Sequence, residues 1–121
     1  MRTLIDRDPY SDRPENAIWF TRGRWPCAWI DCAHAEPPPI VTAYRRQFVV
    51  DAEVTLRVHV TADERYELFL DGVRIGRGSE RGEPRTWFFE TYDLPLQRGP
   101  HVLVALVWSL GCEALYAQMS V

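Results

Sequence analysis

Two short alternating runs that meet at Asp71-Gly72 constrain this chain more than any other feature. Tyr66 to Leu70 sets Tyr66, Leu68 and Leu70 on one side of an extended chain, with Phe69 on the reverse, and Val73 to Gly76 follows at once. A tight link between antiparallel strands needs positive φ at both central residues, which Asp-Gly supplies, so this spacing predicts a β-hairpin. A loop from Arg77 to Pro84, carrying Gly78 and Gly82, leads to an aromatic strand over Arg85 to Tyr92.

The same period of two runs through the rest of the chain. In Glu53 to Thr61, Val54, Leu56, Val58 and Val60 point one way and Thr55, Arg57, His59 and Thr61 the other. That is a strand with one dry and one wet face. Ala43 to Val50 alternates in the same manner. His101 to Trp108 is nearly all apolar, as expected of a central strand covered on both faces. Glu113 to Val121 reads as a closing strand, Leu94 to Pro100 as a turn, and the prolines of Glu36 to Pro39 as a rigid connector. Ala17 to Phe20 and Trp25 to Ile30 read as short strand or anchored loop at a sheet edge. The expected core comprises Val54, Leu56, Val58, Val60, Leu68 and Leu70, joined by Val102, Val104, Leu106 and Trp108. No window carries a helical stripe, so the pattern predicts an all-β sandwich or barrel.

A length of 121 residues fits one domain. Residues 1–16 are expected to be an irregular lead-in or short edge segment, and residues 17–121 a single β-sandwich domain. The net charge of −3 implies no general attraction to nucleic acid. All 14 of the lysine-plus-arginine residues are arginine, a bias of composition. Met1 to Asp12 lacks the apolar stretch of a secretory signal, and no run is long enough to span a membrane. Cys27, Cys32 and Cys112 are odd in number, which favours free thiols and a reducing, cytoplasmic setting.

The order of elements resembles the N-terminal β-sandwich of bacterial α-L-rhamnosidases and related glycoside hydrolases. The resemblance rests on Ala28-Trp29-Ile30, on Tyr44-Arg45-Arg46-Gln47-Phe48, and on the run from Thr61 to Gly72 with Gly76. Gly78, Arg81-Gly82, Trp87, Glu90-Thr91-Tyr92-Asp93-Leu94, Gly99-Pro100-His101-Val102-Leu103 and Trp108 complete it, so that it covers Ile18 to Val121. The chain departs in carrying Asp71-Gly72 where relatives often have Asn-Gly, and Gly99-Pro100-His101 where many have Gly-x-Asn. The resemblance implies a jelly-roll of the galactose-binding type, a fragment of a longer enzyme, and a non-catalytic accessory role against that enzyme's catalytic domain. Catalytic residues of the family lie in a separate helical barrel that has no counterpart here, so none is assigned and the chain alone is not expected to be an enzyme. An autonomous carbohydrate-binding module and a self-associating structural domain that forms a homodimer are the alternatives.

Individual side chains add little chemistry. Glu80, Glu83 and Glu90 are near enough in sequence to suggest a glycosidase pair, but Glu90 lies on a strand, Glu80 and Glu83 flank Arg81 and Arg85, and a solvated, self-paired polar loop is the preferred reading. Cys27, Cys32 and His34 lack the spacing and the further ligand of a zinc site. A structural calcium occurs in sandwiches of this type, yet no Asp-rich ligand loop is present, so no cofactor is expected. Aromatic rings that stack on sugar faces beside polar groups make the better case. The expected carbohydrate-binding residues are Trp25, Arg81, Glu83, Arg85 and Trp87; packing in a core or domain interface is the competing role of both tryptophans.

Overall fold

The computed structural model describes residues 1–7, 30–34, 36–79 and 88–111. Within them the chain forms strands β1 (Arg2–Thr3), β2 (Ile40–Val50), β3 (Val54–Val60), β4 (Arg65–Leu70), β5 (Val73–Gly78), β6 (Glu90–Leu96) and β7 (Gly99–Ser109). They build two antiparallel sheets, one of order β1-β6-β3 and one of order β2-β7-β4-β5. The all-β expectation holds. Candidate segments 17–20 and 113–121, with most of 25–30, lie outside the described residues.

The hairpin forms as its turn chemistry requires. Asp71 has φ 50° and Gly72 φ 82°, the pair of positive values that a tight primed turn demands. The turn is also tied to the next strand. Asp71 Oδ1 accepts from the Val102 amide at 2.8 Å, and Asp71 Oδ2 lies 2.7 Å from His101 Nδ1. The strand after the turn continues to Gly78, two residues beyond the predicted end, with a bulge opposite Leu68 and Phe69.

The core lies between the sheets. Tyr66 and Leu68 project from the four-stranded sheet, and Tyr92, Leu94 and Leu96 from the three-stranded one; all are essentially inaccessible. Val58, Val60, Leu70, Leu103, Ala105 and Val107 pack around them. Burying side chains of this size stabilises the fold by roughly 1.5–3 kcal/mol each. Close approach is part of the packing. A Cβ on Gly76 would overlap the Tyr92 ring, and one on Gly78 would overlap Glu90 and Tyr66.

Four expectations need correction. The inward side of β7 is Leu103, Ala105 and Val107, not Val102, Val104, Leu106 and Trp108. Paired residues share a face, and Leu68 pairs with Ala105 while Tyr66 pairs with Val107. In a strand apolar on both sides, alternation cannot say which side faces inward. Val54 and Leu56 do lie on the face shared with Val58 and Val60, but they remain 44% and 39% exposed because β3 is an edge strand. Leu94 to Leu96 extend β6, and the turn contracts to Gln97 and Arg98. Pro95 is tolerated because β1 pairs only with Thr91 and Tyr92, so beside Pro95 it meets no strand on that flank among the described residues. Glu90 lies on a strand as expected, but at 3% exposure it belongs to the core and not to a solvated polar surface. It accepts the Tyr66 hydroxyl at 2.7 Å.

Candidate functional site

Alternation gives the four-stranded sheet a second, outward face. On β7 it presents Val102, Val104, Leu106 and Trp108, each partly exposed. Register sets Val41 beside Trp108, Ala43 beside Leu106, and Phe69 beside Val104. Val41 is 51% exposed, so this apolar row meets solvent at its β2 side. Arg45, Gln47, Arg65 and Glu67 stand among these positions and give the row a polar border.

The outer face of the three-stranded sheet is polar by contrast. Arg57 donates to both Asp93 oxygens at 2.7 Å, and Thr3 donates to Asp93 Oδ2 at 3.2 Å. The Arg57 guanidinium holds the Asp93 carboxyl below the ordinary carboxylate range. Thr55, Arg57, His59 and Thr61 therefore occupy the wet face that their alternation predicts.

A cleft of about 770 Å³ opens between the sheets where β2 begins and β3 and β7 end. This is within the usual range for small-molecule sites. Thr42, Tyr44, Ala105 and Val107 form its floor on the inner side of β2 and β7. The lining also takes in His59, Thr61 and Phe89, at the rim where the outer face of β3 ends, and Ile30, Asp31 and Pro37. The His59 ring meets Phe89 edge-on, with centroids 5.3 Å apart, and its Nδ1 lies 2.9 Å from Thr91 Oγ1. Burial, seconded by the Arg57 charge, pushes the His59 pKa down. Burial pushes the Tyr44 phenol up, with the Asp31 charge acting in the same direction.

Glu64 sits in the cleft lining at the start of β4 and is only 7% exposed. Its Oε1 accepts the Leu110 amide at 2.7 Å, which anchors the end of β7 to the β3–β4 connection. Nearby, Ser79 Oγ donates to the Ala62 carbonyl and accepts from the Ala62 amide, both at 2.8 Å.

Elsewhere, the Tyr66 hydroxyl is 2.7 Å from Glu90 and 3.2 Å from the Tyr92 hydroxyl, all three in the core. Burial raises the pKa of both phenols, and for Tyr66 the bonds to Tyr92 and Glu90 add to it. This cluster is closed to solvent and offers nothing to a substrate. Among the described residues no group of three His, Cys, Asp or Glu side chains is placed to hold a metal ion. Cys32 is a free, partly exposed thiol.

The expected carbohydrate-binding residues Trp25, Arg81, Glu83, Arg85 and Trp87 all lie outside the described residues. The cleft instead draws on Tyr44, Glu64, Asp31 and Phe89, which local sequence did not single out. Their convergence depends on β2 beginning where β3 and β7 end. No family model matches the chain, and no curated protein or solved structure is found to be similar to it.

Proposed function

We propose that this chain is a non-catalytic accessory domain of the galactose-binding-like jelly-roll type, packing on the catalytic domain of an α-L-rhamnosidase-like glycoside hydrolase. The supporting observation is the outward row of Val102, Val104, Leu106 and Trp108 flanked by Val41, Ala43 and Phe69. Contiguous apolar surface open to solvent marks interaction sites, and Val41, 51% exposed, opens this row to solvent. The reading is tested by incubating the isolated chain with an aryl α-L-rhamnoside. No release of the phenol is expected, and turnover abolished by a point substitution would overturn the assignment.

A second reading, an autonomous carbohydrate-binding module, is favoured by the cleft. Tyr44 and Phe89 supply rings beside the polar groups of Thr42, Thr61 and His59, the mixture that sugars require. Titration with rhamnose and galactose, followed by intrinsic fluorescence, should give a saturable change. Its absence at millimolar sugar counts against this reading.

A further inference from the structure

We infer that the cleft between the sheets binds a protonated amine carried on a small ring body, with Glu64 as its counter-charge. The inference goes beyond the accessory role. It deepens the carbohydrate reading only if the body is a sugar.

Charge selects the ligand. The lining brings together the acidic residues Asp31, Glu36, Asp63 and Glu64, while His59 is the one basic residue in it among the described residues. An anionic ligand such as a phosphate or a uronate would meet this wall with repulsion. Glu64 carries the argument because it is buried. Taking a carboxylate out of water is costly unless a cation or several donors meet it. The backbone amide of Leu110 satisfies one oxygen. The ion pairs Arg57–Asp93, Arg74–Glu67 and His101–Asp71 do not include Glu64, which has no cationic partner among the described residues. An ammonium group entering the cleft would provide what the fold does not.

The rest of the cleft suits the body that carries the charge. Tyr44 and Phe89 belong to the lining, and cations are drawn to aromatic ring faces. Ala105, Val107 and Ile40 give the floor an apolar stretch. The Tyr44 phenol is pushed up first by burial, and the Asp31 charge adds to it in the sense a site of negative potential requires. Two sources share this chemistry: an amino sugar, and a simple cyclic amine.

Calorimetric titration of the 121-residue chain with glucosamine, glucose and cyclohexylamine separates them, at a pH where amines are protonated and carboxylates ionised. Glucosamine should bind more tightly than glucose. Glu64→Gln, which keeps the shape and an acceptor for Leu110, should weaken amine binding about tenfold, as loss of a charge-assisted bond does, and leave glucose unchanged. Should that variant fail to fold, the exposed cleft residue is changed instead as Asp63→Asn, with about a threefold loss expected from a more screened charge. If both amines bind and glucose does not, the inference stands and the sugar reading falls. Equal affinity for glucosamine and glucose, or no heat with any of the three, overturns the inference.

Discussion

Replacing Gly76 by alanine tests the packing between the sheets at one point. The added methyl would overlap a ring carbon and the hydroxyl of Tyr92. Tyr92 has 0% exposure and is enclosed by Tyr66, Leu68, Leu94 and Leu96, so the ring cannot swing into solvent. Overpacking of this kind costs about 1–3 kcal/mol. Displacing the Tyr92 hydroxyl from Tyr66, 3.2 Å away, and from the Arg77 carbonyl, 3.4 Å away, adds a penalty for buried polar groups. That penalty is about 1–3 kcal/mol if the partners are lost outright, and a partial loss brings the sum to roughly 2–4 kcal/mol. Urea unfolding of a domain this size has a slope of about 1–3 kcal/mol per molar. The midpoint should therefore fall by about 1–2 M.

Gly72→Ala is the control. Gly72 has φ 82° and open space around its Cβ position, so alanine there meets only the left-handed backbone penalty, about 1–2 kcal/mol. In a Gly76→Ala background, Tyr92→Leu removes the atoms that collide and should recover at least about 1 kcal/mol relative to additivity. A Gly76→Ala protein as stable as wild type, or strict additivity in that cycle, refutes the packing described.

Other perturbations read other parts of the fold. The bond to Asp71, with that to the Gln97 carbonyl behind it, raises the His101 pKa, and the bond to His101 lowers that of Asp71. A raised histidine contributes fully below its unfolded value of about 6.5 and loses that contribution as pH rises through its folded value; a lowered aspartate contributes above about 3.9 and loses it as pH falls. The pair is therefore strongest between about pH 4 and 6.5. The urea midpoint of the wild-type protein should decline from pH 6 to pH 9 more than that of His101→Asn, and parallel profiles refute the linkage. His59, whose pKa is lowered, acts in the opposite sense and is common to both proteins. Leu94→Ala should cost about 2–5 kcal/mol by chemical denaturation. Leu56→Ala, at a side chain 39% exposed, should cost clearly less, and equal losses would move β3 into the sheet interior.

Local chemistry accounts for what the sequence made legible. The hairpin needed only Asp71-Gly72 and its flanking alternation, and the wet face of β3 needed only Thr55, Arg57, His59 and Thr61. What the alternation of β7 could not reveal was its inward side. Both of its faces are apolar, and pairing with Tyr66 and Leu68 makes the choice from outside the segment. The burial of Glu90 is hidden for a similar reason. A glutamate on a strand beside a polar loop looks solvated until Tyr66 and Gly78 of β5 close against it. The cleft is further from sequence still, since Glu64, Tyr44 and Phe89 belong to three separate segments that only the two-sheet arrangement brings together.

Leu106→Arg tests the outward row on β7, and the docking role read from it, most directly. Thermal unfolding would be followed in the 121-residue chain and in any longer polypeptide that its reading frame encodes. An outward Leu106 predicts that the isolated domain keeps its melting temperature to within a few degrees, a loss of no more than about 1 kcal/mol. A docking role predicts that the same change separates this domain's transition from the rest of the longer polypeptide. Unfolding of the isolated domain would put Leu106 in the core, and a frame ending at Val121 or an unaltered longer polypeptide would contradict the accessory role.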